Sequence, residues 1–363
     1  MLTPRENFIR AVRRRNPEWI TLDFGVSKGA MDMFRRHLGD DVDIVRHFKF
    51  DARWIGPSGG THRPTPDWRA LYYSDGSLPP EASIGSEWGT AQVEHPETDD
   101  SLSFFPLRKI SSEADLDAYP WPDDVGAAHR FAGMKEKVDA AHAEGSPVYG
   151  CGLNFFEHIW GLCGFDILMM GMAMDEPWAK KMFRKHAADL VRTAEQIALT
   201  GADVLQTGSD MATQIAPLIS PDMWRDWLFP LMRDSIAAAR RVNPDILVQY
   251  HSDGNVEPLI EGFIEAGVDI LDPIQPECMD IFAVKRKYGD RLSFHGGIGV
   301  QTVMPFGTPQ EVRDTVRRAI EGMGAGGGGY LCSTAHMIRP EVPWENVIAF
   351  VETVKEFGHP SGR

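Results

Sequence analysis

His251 and Asp253 stand two residues apart at the end of a short apolar run, and Cys332 ends a later run of the same kind. Side chains alternate along a strand, so residues two apart share a face and can reach one ion. An imidazole, a carboxylate and a thiolate make a three-ligand zinc set that leaves a fourth position open, the arrangement of a catalytic site. A plainer reading stays open beside it: Asp253-Gly254 is a turn, and Cys332 is an inert buried thiol.

Other polar residues recur just past predicted strands: Glu157, Asp210, Asp272, Gln275 and His295. Parallel α/β barrels build their active sites from the C-terminal ends of the strands, so each is a candidate. Asp210, Glu157 and His295 are the candidate proton-transfer groups, and Gln275 and His336 candidate substrate contacts. A polar residue at a strand end also serves as a helix cap or turn former, and a lone histidine as a hydrogen-bonded core residue.

The elements that must position these groups follow from the pattern of the chain. From about Pro147 onward, short apolar runs alternate with longer amphipathic segments, as in βαβ units around a parallel sheet. Six strands are expected, at 148–151, 203–207, 246–250, 268–271, 292–295 and 329–332, and two more at 19–24 and 47–50 complete eight. Helix starts are written at Thr3-Pro4 with Glu6, at Ser220-Pro221-Asp222 and at Thr308-Pro309 with Glu311. The expected fold is a single (β/α)₈ TIM barrel over residues 1–363, with residues 56–124 inserted over its mouth and an Asp75-Gly76 hairpin turn within the insertion. The glycine cluster at 322–329 follows a helix and precedes a strand, the reverse of a phosphate-cradling loop, and is read as a loop of close backbone approach.

Composition narrows the function. The chain has 363 residues and a net charge of −15, so a nucleic-acid partner is not expected. The basic run from Arg10 to Arg15 reads as a solvated helix face. Four cysteines without a CxxC pair fit a reducing cytoplasm rather than a disulfide framework. No apolar run is long enough to span a bilayer. The methionine-rich stretch at 169–174 reads as core filler, since methionine packs irregular gaps.

Several blocks resemble the uroporphyrinogen decarboxylase superfamily, particularly its methyltransferase-like branch. They include Tyr250-His251-Ser252-Asp253-Gly254, Gly267-Val268-Asp269-Ile270-Leu271, His295-Gly296-Gly297-Ile298 and Tyr119-Pro120-Trp121-Pro122-Asp123. The resemblance covers most of the chain and implies either cofactor-free decarboxylation or zinc-dependent methyl transfer involving corrinoids, thiols or folates. The decarboxylases hold their substrate's carboxylates with an arginine-rich segment after the first strand; here that segment reads Gly25-Val26-Ser27-Lys28-Gly29-Ala30-Met31. Thiol methyltransferases of the branch bind zinc with a His-x-Cys pair and a later cysteine, which this chain matches at His251 and Cys332 but departs from at Asp253. A carboxylate there makes a harder site, suited to polarising an ether oxygen. The resemblance therefore implies a demethylase acting on a small donor, such as a methoxylated aromatic held by Phe155, Phe156 and Trp160, with Asp210 and Glu157 as walls or as a fourth ligand. No Asp-x-His-x-x-Gly motif occurs, so a corrinoid acceptor would be free or carried by a partner protein. A lyase acting on a small carboxylated substrate is the alternative, and a barrel that binds without turnover a third.

Overall fold

Alternation along the strands sorts the core of this computed structural model, which describes residues 2–85, 87–94 and 101–359, into two layers. Leu247, Ile270, Leu331, Tyr149 and Val204 meet inside the sheet under the N-terminal helix Pro4–Val12. Val248, Leu271 and Tyr330, chain neighbours of three of these, face outward with Tyr250 and Phe294 into the core shared with the surrounding helices.

Eight parallel strands carry this pattern: β1 (Thr21–Leu22), β2 (Arg53–Ile55), β3 (Val148–Asn154), β4 (Val204–Gly208), β5 (Leu247–His251), β6 (Ile270–Ile274), β7 (Ser293–Ile298) and β8 (Tyr330–Thr334). They are ordered β1-β8-β7-β6-β5-β4-β3-β2 in one curled sheet, a TIM-barrel-like fold. Among the described residues no backbone ladder joins β1 to β2. Asp51 spans that seam instead, accepting from the Trp19 indole (3.1 Å) and the Leu22 backbone N–H (3.2 Å).

The helix starts are where the sequence places them. Thr3 and Glu6 form a capping box, as do Thr308 and Glu311, and Ser220 caps Pro221–Trp227. Each cap satisfies amide donors that an α-helix leaves open at its first turn.

The strand ends differ from expectation in one consistent way: all six strands of the regular half run past their expected ends, by one to three residues. Gly296 and Gly297 carry β7 onward, in register with Cys332 and Ser333. His251, Asp272 and His295 consequently lie within strands, where neighbouring backbones fix them.

The segment 47–50 is not a strand. Asp43 caps a short helix, Ile44–Phe48, that ends at Lys49 in a left-handed conformation, and the strand follows at Arg53. Asp75-Gly76 is likewise no hairpin; it lies in a turn after the helix Trp68–Tyr72. The antiparallel strands of the 56–124 segment are Ser83–Ile84, Ala91–Glu94 and Ser101–Phe104. They pack beside the C-terminal end of β3, where the Trp88 ring meets His158 edge-on at 4.3 Å and Thr90 donates to the Gly161 carbonyl (3.0 Å). The methionine run divides: Met172 is core, while Met170 and Met174 are exposed. No helix among the described residues is long and apolar enough to cross a membrane.

Candidate metal centre

Four strands are tied together by one chain of charged hydrogen bonds. His251, the last residue of β5, meets Asp272 of β6 through Nδ1 (2.8 Å). The other Asp272 oxygen meets Nδ1 of His295 on β7 (2.5 Å), whose Nε2 meets Asp23 at the end of β1 (2.7 Å). Burial alone would discharge these imidazoles. Asp272, with Asp253 and Asp210 behind it, instead raises His251 to about 9. Asp23 and Asp272 outweigh burial to keep His295 protonated, and the two histidines hold Asp272 well below the usual carboxylate range against its own burial. Charges thus alternate along the chain, each buried ion having an opposite neighbour.

This chain orients His251. Its Nδ1 is engaged by Asp272, so Nε2 is the atom left facing the cleft, 4.0 Å from Asp210 Oδ1. Asp210 Oδ1 also accepts the Asp253 backbone N–H (2.9 Å), and Glu157 braces the same loop by accepting the Asp210 N–H (2.6 Å). One donor atom each from Asp210, His251 and Asp253 lies within 4.8 Å of the other two. Ligands of a tetrahedral ion at zinc distances stand about 3.4 Å apart, so a small inward movement would complete a three-donor site. The residues fit such an ion: Asp253 Oδ1 is buried with no hydrogen-bond partner, and a buried carboxylate oxygen left bare is costly unless something cationic meets it. The second Asp253 oxygen lies 3.6 Å from His336 Nε2, which places a further imidazole beside the three donors.

The expected site residues divide by location. Asp210, His251, Asp253, Glu157 and His336 converge. Cys332 is not brought to the cluster. It is in register with Gly296, one place beyond the pairing of inward His295 with inward Leu331, so it faces outward with Tyr330. The Tyr330 hydroxyl reaches its sulphur at 3.4 Å, and burial pushes the thiol up to about 12. Phe155 and Phe156 are core residues, 1% and 0% exposed, and not cleft walls; only their backbone N–H groups serve the site, both donating to Ser209 Oγ. Trp160 is half-buried, edge-on to Phe165. Gln275 shapes the turn by accepting the Gly254 N–H (3.0 Å). His295 has both ring nitrogens engaged, which makes it a positioning group. The residue missed outright in the sequence was Asp23, whose signal was its place at the end of the first strand.

A cleft of about 480 Å³ opens over the cluster, lined by Asn154, Glu157, Gln206, Ser209, Asp210 and His251 among others. It shares Glu157 with a second cleft of about 610 Å³ between the 56–124 segment and the helix Glu157–Cys163. The lining of the two clefts includes no lysine or arginine.

Gly208 sets the spacing beneath the ligand. A Cβ there would stand 2.8 Å from both Cβ and the backbone oxygen of His251. Gly208→Ala is expected to push β5 aside and lower metal affinity by about tenfold or more, with a stability loss of about 1–3 kcal/mol. Isothermal titration with zinc and urea unfolding would measure both; unchanged zinc affinity would show that the spacing does not matter.

Residues 108–357 match the family model described as uroporphyrinogen decarboxylase (URO-D). Sequence relatives include the uroporphyrinogen decarboxylases of Microcystis aeruginosa, 24% identical over 57% of this chain and 59% of that protein, and of Vibrio campbellii, 32% identical over 23% and 22%. The chain thus spans little more than half the length of the first of these relatives. Among solved structures, a methyltransferase from Methanosarcina mazei superposes with a TM-score of 0.69 over 98% of this chain and 99% of that one at 16% identity, a likeness of fold. With the family model matching well over half its length, the chain belongs to the uroporphyrinogen decarboxylase family.

Proposed function

We propose that the chain is a metal-dependent methyltransferase, a demethylase that moves a methyl group from a small methoxylated aromatic donor to a corrinoid or related acceptor, free or carried by a partner protein. The observation that carries this reading is the Asp210, His251 and Asp253 cluster at the strand ends, with the Asp253 oxygen that nothing else satisfies. These three residues would hold a zinc ion, with His336 beside them. When bound, the ion supplies Lewis-acid polarisation of an oxygen at its open position. In the transfer, the donor's carbon–oxygen bond breaks, its methyl passes without the bonding electrons to a reduced corrinoid, and the oxygen left behind takes a proton from solvent.

The residues of the chain prepare this step. Asp272 fixes the His251 ring so that Nε2 points at the cluster, and His251 would give up the proton held there on binding a metal ion. Glu157 holds the Asp210 loop through its backbone.

Similarity to uroporphyrinogen decarboxylases favours a second reading, a lyase acting on a small carboxylated substrate. The charge of the clefts opposes it, since their lining offers acids and no lysine or arginine to receive carboxylates. The deciding experiment mixes the protein with reduced cobalamin and a panel of methoxylated aromatics and follows the absorbance change to methylcobalamin. Transfer that stops on chelation is expected. Carbon dioxide release from a carboxylated substrate, undiminished by chelator and with no methyl transfer, would overturn the proposal.

A further inference from the structure

The opposite face of the barrel carries a second cluster of charge that the cleft does not use. The helix Pro4–Val12 ends there, and the backbone turns back through Arg14 with φ 54. The N–H of Arg15 bonds to the carbonyl of Arg10 (2.8 Å) and that of Arg14 to Ala11 (3.2 Å), a helix ending that ordinarily takes glycine at the left-handed position. An arginine there retains a long side chain despite the strain of its backbone, and strain of this kind is a pointer to function.

Arg14 is turned inward, contrary to the solvated face read from the sequence. Its Nη1 donates to Ser293 Oγ (2.8 Å) and the Val12 carbonyl (3.2 Å). The rest of the guanidinium has no partner among the described residues. With Arg13 and Arg240 it lines a depression of about 210 Å³. Arg13 pairs with the exposed Asp245 and Arg240 with Asp269, which leaves Arg14 as the cation without an acid. Lys285 stands near it, donating only to the carbonyls of Gly328 and Gly329. Burial and the repulsion of Arg14 lower this ammonium to about 8. Among the described residues neither Arg14 nor Lys285 has a carboxylate at ion-pair distance, although Asp245 and Asp269, held by Arg13 and Arg240, line the same depression.

We propose that this depression is an oxyanion site, of phosphate size, in which Arg14 supplies the principal contact and Arg13 and Arg240 the flanks. Guanidinium groups present paired N–H donors that match phosphate or carboxylate oxygens. The floor of the site is formed by Leu247 and Asp269, with Ser293 beneath Arg14, so it abuts the starting ends of β5, β6 and β7. Those strands end at or just beyond His251, Asp272 and His295. The proposal is independent of the chemistry assigned to the cleft.

Titration calorimetry of inorganic phosphate into the full chain, with chloride holding ionic strength constant, tests it. Saturable binding is expected, with a rise in melting temperature that follows occupancy. Arg14→Gly suits the left-handed backbone, so the variant should fold with undiminished stability while phosphate affinity falls by about tenfold or more. Arg14→Lys, which keeps the charge but not the paired donors, should bind with intermediate affinity. Absence of saturable binding up to about 10 mM phosphate, or equal affinity in Arg14→Gly, would overturn the site.

Discussion

Asp272→Asn should cost about 3–5 kcal/mol of folding stability and weaken zinc binding by about 10- to 100-fold, although the side chain changes by only one atom. Asp272 is 7% exposed and accepts from two imidazoles at 2.8 and 2.5 Å. An amide has one acceptor oxygen, so one ring N–H must face an NH₂ donor. It also has no charge, which leaves His251 and His295 as adjacent buried cations or forces them to lose protons. Either outcome frees the His251 ring to turn and to expose the wrong nitrogen to the cleft. Urea unfolding and competition with a chromogenic chelator give the two magnitudes. Zinc affinity equal to that of the parent protein would show that the bridge between β5 and β6 does not orient the ligand.

The second large effect separates two residues that the sequence places in one set. His251→Ala should abolish stoichiometric zinc binding and reduce methyl transfer by about 10³-fold or more, since it removes the central donor of the cluster. Cys332→Ala should bind zinc as the parent does. Its sulphur faces the layer between sheet and helices, and its removal leaves a small cavity worth about 1 kcal/mol while the Tyr330 hydroxyl keeps the Gly296 carbonyl at 3.0 Å. Metal analysis of both variants decides between outward and cleft-facing placement; loss of zinc on replacing Cys332 would contradict the outward one.

Cys332 also shows where the sequence ceases to be informative. Placing a strand near 329–332 needs only an apolar run and its flanking breaks, and those are local properties. Deciding which face Cys332 occupies needs the register against β7, since a shift of one residue reverses every side chain. The pattern is silent there because β8 is buried on both faces. The same limit applies to Phe155 and Phe156. Aromatic residues past a strand end suggest a pocket wall, but here Ser209 draws their backbone inward and the rings follow into the core.

What was legible depended on residues whose position in the chain dictates their position in space. His251 and Asp253 follow one strand directly, so their proximity needs no tertiary information. Asp210 reaches them from the next strand end through the Asp253 backbone, and its position past β4 made it a candidate. The strand at 53–55 was missed because it is three residues long, while the aromatic run before it packs as helix and turn around Phe24, with Phe50 at 4.7 Å. Asp23 has the same local signal, a polar residue just past β1, but its link to the cluster runs through His295 of β7, a contact between residues far apart in the chain.

Metal content measured on protein purified without chelator tests the central claim most directly. The cluster of Asp210, His251 and Asp253 predicts about one zinc ion per chain, removed by a strong chelator with loss of methyl transfer and restored with zinc. Protein that contains no metal, takes up none when zinc is supplied, and turns over equally well in chelator would contradict it.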